Sequence, residues 1–253
     1  TWCYSVGGAR LGDEGSSGVF WFQLDYPVYE SGNLIPDPWG KKPTRQEKSF
    51  SVESGSEFNL QNINGSVNVS TWSEENIKVV ATIRADNQKA FDRVLVNMSQ
   101  KGNRVYVETE YEKEGFFSQR NNNADVDYEV TLPLTVAFTY IDLVNGSLNL
   151  KQINGDIKTD LVNGSTTATG LSGNSKFNAV NGGVDISYEQ LNNKVEEIII
   201  ETVNGGIKLT LPSNLNAKIN AETMNGGINN DFGLPVEKQT FSGKELKGKV
   251  GEG

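Results

Sequence analysis

Apolar and polar residues alternate at a step of two along much of the chain, the spacing that turns one face of a β-strand inward. Phe50 and Val52, Phe58 and Leu60, and Val67 and Val69 follow this pattern, and Ile77 to Ile83 is a β-branched run. Val94-Leu95-Val96 and Val105-Tyr106-Val107 flank Lys101-Gly102-Asn103, which predicts a hairpin. Asp125 to Leu132 predicts another alternating strand, closed by Pro133, and Asp86 to Phe91 predicts a single helical turn. Residues 112–124, with Asn121-Asn122-Asn123 at the tip, read as a polar loop.

From about Thr139 the pattern becomes a repeat. Asn-Gly occurs seven times, at Asn64, Asn145, Asn154, Asn163, Asn181, Asn204 and Asn225. Asn145, Asn154 and Asn163 are nine residues apart, Ser172-Gly173 stands in for the next corner, and Asn181 follows nine later. Taken in pairs, the coils are 18, 18, 23 and 21 residues long, and the two longer ones carry their extra residues at Glu189 to Glu196 and Leu211 to Asn216. An apolar residue precedes each Asn (Val144, Ile153, Val162, Val180, Val203, Met224), and another usually comes two after the Gly, as in Leu148, Ile157, Val184, Ile207 and Ile228. That is strand, tight corner, strand, with Gly supplying positive φ and Asn tolerating it.

A nine-residue unit cannot bury its own apolar face, whereas stacked units share one continuous core. Two short strands per coil give a flattened parallel β-solenoid, the preferred geometry because the apolar phase recurs after each corner. An antiparallel meander, with each Asn-Gly as a two-residue hairpin, stays open. The chain reads as all-β in three parts: an irregular aromatic-rich segment over 1–45, a strand-rich part over 46–133, and the Asn-Gly solenoid over 134–253. Gly and Pro clusters break any period in the first part, which holds Trp2, Tyr4, Phe20, Trp21, Phe22, Tyr26, Tyr29 and Trp39. That aromatic density suits packing on the body or on a partner better than a plain linker does.

Asn62-Ile63-Asn64-Gly65-Ser66-Val67 followed by Trp72 resembles the opening of the bacterial DUF4097 family, whose members are labelled adhesins by analogy. Val144-Asn145-Gly146-Ser147, Val162-Asn163-Gly164-Ser165, Thr202-Val203-Asn204-Gly205-Gly206-Ile207 and Met224-Asn225-Gly226-Gly227-Ile228 are similar to its repeats. Leu209-Thr210-Leu211-Pro212 and the ending Leu246 to Gly253 follow its usual course, so the resemblance covers about residues 46–253. It implies an all-β, helix-like stack in an exported protein of the bacterial periplasm or cell surface, with no established activity and no catalytic residues to carry over. Members similar to this one continue past Gly251-Glu252-Gly253 into another coil, which implies an uncovered strand edge here and self-association through it.

Composition narrows the chemistry. The net charge of −9 argues against nucleic acid, which needs a basic surface. With no histidine, the commonest general base and metal ligand is missing. A single cysteine, Cys3, permits no internal disulfide and no cysteine-based zinc site. Cys3 follows Trp2, where a lipoprotein signal would place a small residue; the opening at Thr1 rather than Met implies a segment removed ahead of it. No run approaches the length needed to span a bilayer as a helix.

Five Asn-x-Ser triplets, at Asn64, Asn68, Asn97, Asn145 and Asn163, read as turn chemistry rather than glycan acceptors. Asn181-Gly182-Gly183-Val184-Asp185 lacks the third glycine and repeating aspartate of calcium-binding nonapeptides, and Asp125 with Asp127 reads as a solvated face. The carboxylate pairs Glu108-Glu110, Glu196-Glu197 and Asp13-Glu14 match a hydrolase by residue type alone. There is no Gly-x-Ser-x-Gly elbow and no phosphate loop. The expectation is therefore a non-catalytic envelope or surface scaffold, adhesin-like, binding protein or glycan, with no cofactor, no metal and no catalytic residue. Its distinguishing feature would be an exposed aromatic or apolar patch beside polar faces. The alternatives are a sensor ectodomain, in which residues 1–45 lead to a membrane anchor, and a polysaccharide-processing enzyme.

Overall fold

The computed structural model describes residues 44–112, 123–189, 195, 197–212, 217–225, 228, 230–231, 233–238 and 244–250, all within one compact unit, Leu34–Gly253. The aromatic segment up to position 43 and residues 113–122 of the expected polar loop lie outside them. The first elements are β1 (Thr44–Ser51), β2 (Glu57–Asn64), β3 (Val67–Trp72), β4 (Asn76–Ala85), α1 (Gln88–Asp92), β5 (Val94–Lys101), β6 (Arg104–Tyr111) and β7 (Ala124–Pro133). The repeat supplies β8 (Phe138–Asn145), β9 (Leu148–Lys151), β10 (Asp156–Asn163), β11 (Thr166–Leu171), β12 (Ser175–Asn181), β13 (Val184–Tyr188), β14 (Glu197–Asn204), β15 (Ile207–Thr210) and β16 (Ala217–Asn225). Two short strands follow, β17 (Val236–Lys238) and β18 (Lys244–Val250). The expected hairpin is β5–β6, with Lys101 opposite Arg104, and the helical turn is α1, capped by Asn87 Oδ1 accepting from the Ala90 N–H at 2.9 Å.

The strands form an eight-stranded sheet ordered β1-β4-β7-β3-β9-β11-β13-β15 and a ten-stranded sheet ordered β17-β18-β16-β14-β12-β10-β8-β2-β6-β5. The Asn-Gly corners at Asn64, Asn145, Asn163, Asn181 and Asn204 carry the chain from the ten-stranded sheet to the eight-stranded one, and Asn154-Gly155 lies on a return, from β9 to β10. The two strands flanking a corner never pair with each other, which excludes the meander. β8, β10, β12, β14 and β16 pair in parallel, as do β9, β11, β13 and β15. The corners stand in register: Asn145 faces Asn163, Asn163 faces Asn181, Asn181 faces Asn204, and Asn204 faces Asn225. The fold is a flattened parallel β-solenoid. The extra residues of the longer coils fall between β13 and β14 and between β15 and β16, and Ser172 takes a corner position, its Oγ donating to Asn154 Oδ1 at 3.2 Å.

The stack draws on residues from both sides of position 134. β2 pairs in parallel with β8, setting Asn64 opposite Asn145, and β3 pairs with β9. β6 and β7 stack on the far sides of β2 and β3, also in parallel. The β2–β3 coil is thus sandwiched between β6–β7 and β8–β9, so space order departs from chain order. Antiparallel strands flank the parallel run: β5 on β6, β4 and then β1 on β7, and β18 and then β17 on β16. In the eight-stranded sheet β15 is last, and a single bridge joins its Ile207 to Ile228.

Between the sheets lies one core in columns. Leu60, Ile141, Thr159, Phe177 and Ile200 are in-register neighbours across β2, β8, β10, β12 and β14, all buried. Two phenols brace the sheets apart from this apolar contact: Tyr128 of β7 bonds Thr109 of β6 at 2.6 Å, and Tyr188 of β13 donates to Ser175 Oγ of β12 at 2.5 Å. Burial drives both phenols well above the ordinary tyrosine range.

Candidate binding face

The outer face of the ten-stranded sheet is built by strand parity. On β10, Ile157, Thr159 and Leu161 point into the core, so Lys158, Asp160 and Val162 point out. The same parity on neighbouring strands lines these side chains into rows. Nearest the corners run Ile63, Val144, Val162, Val180 and Val203, the residues that the motif places before each Asn. Ile63, Val162 and Val180 are 38%, 38% and 41% exposed; the other two are half-buried. Adjacent strands lie about 4.8 Å apart, so this aliphatic ridge runs roughly 19 Å along the stack.

Beside the ridge stands a ladder of corner amides. Asn145 Nδ2 donates to Asn64 Oδ1 at 2.9 Å, Asn163 to Asn145 at 2.8 Å, Asn181 to Asn163 at 2.9 Å and Asn204 to Asn181 at 2.9 Å. The main chain continues the ladder: the N–H groups of Gly65, Gly146, Gly164 and Gly182 donate to the carbonyl oxygens of Asn145, Asn163, Asn181 and Asn204. On the other side of the ridge lies a polar row, Gln61, Asp142, Asp160, Asn178 and Glu201.

Asp160 is the best-partnered carboxylate in that row. It accepts from Tyr140 Oη at 2.9 Å and Asn178 Nδ2 at 2.5 Å, and Lys158 Nζ lies 3.2 Å away. Burial alone would raise its pKa, but these donors and the lysine charge outweigh it and lower it. Asp142, one strand over, is raised by burial and then by the Asp160 charge, with Lys158 opposing. A carboxyl whose folded pKa is raised contributes its stability at low pH and loses it as pH rises through that value. At neutral pH Asp142 is therefore a cost, and Asp142→Asn is expected to stabilise by up to about 1 kcal/mol, the scale of a relieved cross-strand like-charge pair. Melting at neutral pH checks this, and the gain should shrink as the pH falls into the carboxylate range.

The outer face of the eight-stranded sheet carries a polar row instead. Asn149 Nδ2 donates to Asn68 Oδ1 at 2.9 Å, and further along Lys208 Nζ meets Asp185 Oδ2 at 3.2 Å. A cleft of about 460 Å³ there is lined by Thr166, Asp185, Gly206, Ile207 and Lys208 among others, with Asp185 the lone carboxylate among its described residues. A second, of about 350 Å³, lies at the β2–β6 end between Gly55, Glu57, Lys101, Asn103, Arg104 and Tyr106, where Arg104 Nε pairs with Glu57 at 3.0 Å.

The described carboxylates among those singled out by type stand exposed on strand faces or hold structure. Glu108 and Glu110 lie exposed on the outward side of β6, and Glu197 opens β14, also exposed; Glu196, Asp13 and Glu14 lie outside the described residues. Asp127 does more than face solvent. It accepts from the Ser66 N–H at 2.8 Å and Ser66 Oγ at 2.7 Å and pairs with Arg84, pinning the first corner to β7. Asp125, two residues before it on the outward side, is exposed. Among the described residues no group of three or more His, Cys, Asp or Glu side chains is placed to hold a metal, and no helix is long and apolar enough to cross a membrane.

Comparison with known proteins agrees with the corner motifs. No curated protein matches the chain. A crystal structure of a "putative cell adhesion protein" from Clostridium sporogenes aligns over 74% of this chain and 100% of its own, at 12% identity and a TM-score of 0.42. A "putative adhesin" from Parabacteroides distasonis aligns over 72% and 94%, at 11% identity and a TM-score of 0.25. Likenesses this distant say nothing about what this chain binds. The family model described as Toastrack DUF4097 matches residues 156–253, from the first residue of β10 onward. Over that stretch the chain is similar to the DUF4097 Toastrack family.

Proposed function

We propose that this is a non-catalytic, adhesin-like protein, exported to the bacterial envelope or surface, which holds a protein partner on the outer face of its ten-stranded sheet. The observation that carries the reading is the exposed aliphatic ridge Ile63–Val144–Val162–Val180–Val203, set between an amide ladder and a charged row. An apolar strip within a polar rim is how protein interfaces are laid out. Sugar recognition would call for a run of open aromatic faces, and Tyr140, on the same outer face as the ridge, does not offer one. Lys158 Nζ sits 4.8 Å from the Tyr140 ring centre, and the Tyr140 hydroxyl is engaged by Asp160.

The test compares the unaltered chain with a Val162→Lys/Val180→Lys double variant on arrays of immobilised extracellular proteins and glycans. A Thr167→Lys/Thr169→Lys variant, exposed on the opposite face, is the control. Ridge substitution is expected to weaken protein binding at least about tenfold, as loss of interface anchors worth more than 1 kcal/mol does. The control should keep full binding, and melting should shift little in either variant because the sites are exposed. Protein binding indifferent to the ridge, or binding to glycans alone, overturns the reading.

A further inference from the structure

We propose that Asn154 is a site of spontaneous chemical modification, converted to aspartate and isoaspartate in the folded protein while the ladder corners are shielded. In an Asn-Gly pair the glycine amide nitrogen attacks the asparagine Cγ unhindered by a Cβ. The N–Cγ bond forms and the Cγ–Nδ2 bond breaks. The amide proton passes to solvent, and Nδ2 departs as ammonia with a proton taken from water. Water then opens the resulting five-membered imide at either carbonyl, giving aspartate or isoaspartate.

The stacked corners obstruct both partners in this step. The nucleophile is held, because the Gly65, Gly146, Gly164 and Gly182 N–H groups donate to the next coil's carbonyl at 2.9 or 3.0 Å. The leaving group is held as well, since Nδ2 of Asn145, Asn163 and Asn181 donates to a neighbouring Oδ1. Reaction at any of these would first open the ladder.

Asn154 stands on the opposite corner, outside the ladder, and is exposed. The Gly155 N–H has no hydrogen-bond acceptor among the described residues, although the next N–H, of Asp156, donates to Ala137 O at 2.8 Å. Ser172 Oγ, meanwhile, lies 3.2 Å from Asn154 Oδ1 and 3.4 Å from its backbone oxygen. Negative charge develops on Oδ1 when nitrogen adds to Cγ, and a hydroxyl donor already aimed there stabilises it. Asn154 thus combines an unheld nucleophile, an unheld leaving group and a polarised carbonyl. The product matters to the fold, because Gly155 sits so tightly that a Cβ on it would lie 2.2 Å from Val136 O. The extra backbone carbon of isoaspartate would enter that corner.

The experiment incubates the full chain in mildly alkaline buffer, folded and in denaturing urea, and maps deamidated peptides by mass spectrometry. In the folded protein, conversion at Asn154 should run at least about tenfold faster than at Asn145, Asn163 or Asn181, the rate equivalent of opening one or two hydrogen bonds. In urea the rates should converge. Equal rates in the folded protein, or a ladder asparagine reacting first, overturn the proposal. Ser172→Ala should slow Asn154 conversion in the folded chain and leave the urea rate unchanged; no change in the folded chain would remove Ser172 from it.

Discussion

Gly182→Val is expected to destabilise the protein by more than about 3 kcal/mol, whereas Gly183→Ala, at the adjacent residue, should change stability by less than about 0.5 kcal/mol. Gly182 has φ +151°, and a Cβ on it would lie 1.4 Å from the carbonyl oxygen of Gly164 in the coil beneath. Neither atom can yield, because the Gly182 N–H is itself bonded to Asn204 O at 2.9 Å, which locks the corner between its two neighbours. Strained backbone of this kind costs about 1–3 kcal/mol, and overpacking adds about 1–3 kcal/mol. The same clash recurs down the column, with a Cβ on Gly164 1.7 Å from Gly146 O and one on Gly146 1.9 Å from Gly65 O. Gly183 has no such neighbour: its Cβ would come no closer than 3.8 Å to Gly206 O. Denaturant melts of the two variants decide the point. If both behave alike, the corners do not stack as described.

The corner chemistry was legible because it is local and periodic. The spacing of Asn145, Asn163 and Asn181 gave the coil length, and Ser172-Gly173 was readable as a substitute corner from position alone. The interleaving of β2–β3 between β6–β7 and β8–β9 was not, since it rests on pairing across distant sequence that no local pattern encodes. The ridge was half-visible. Leu143-Val144, Leu161-Val162 and Ala179-Val180 are consecutive apolar pairs, and in a strand two consecutive side chains cannot face the same way. One of each pair had to be exposed, a signal that the apolar count around the corners conceals. Asp127 was misread as a plain solvated residue because its partner Ser66 is 61 positions away.

Phe177→Ala is expected to cost about 3–5 kcal/mol, the range for emptying a buried aromatic site. Phe177 is 1% exposed and sits in a core column between Thr159 on β10 and Ile200 on β14. Thr159 is small and is held in register between β8 and β12, so the column cannot close over the gap by shifting one residue. In a stack where each coil touches only its neighbours, stability is close to a sum of coil and interface terms. A cavity at β12 therefore weakens the joints on both sides of that coil, while β2 and β8 keep their contacts. Amide hydrogen exchange should show β12 and β14 losing protection well before β2 and β8, alongside the drop in global stability. Phe177→Leu, which keeps most of the volume, should recover more than half of the loss. Uniform loss of protection along the stack would show that the solenoid unfolds as one unit, and a cost below about 1 kcal/mol would show that Phe177 does not hold the core.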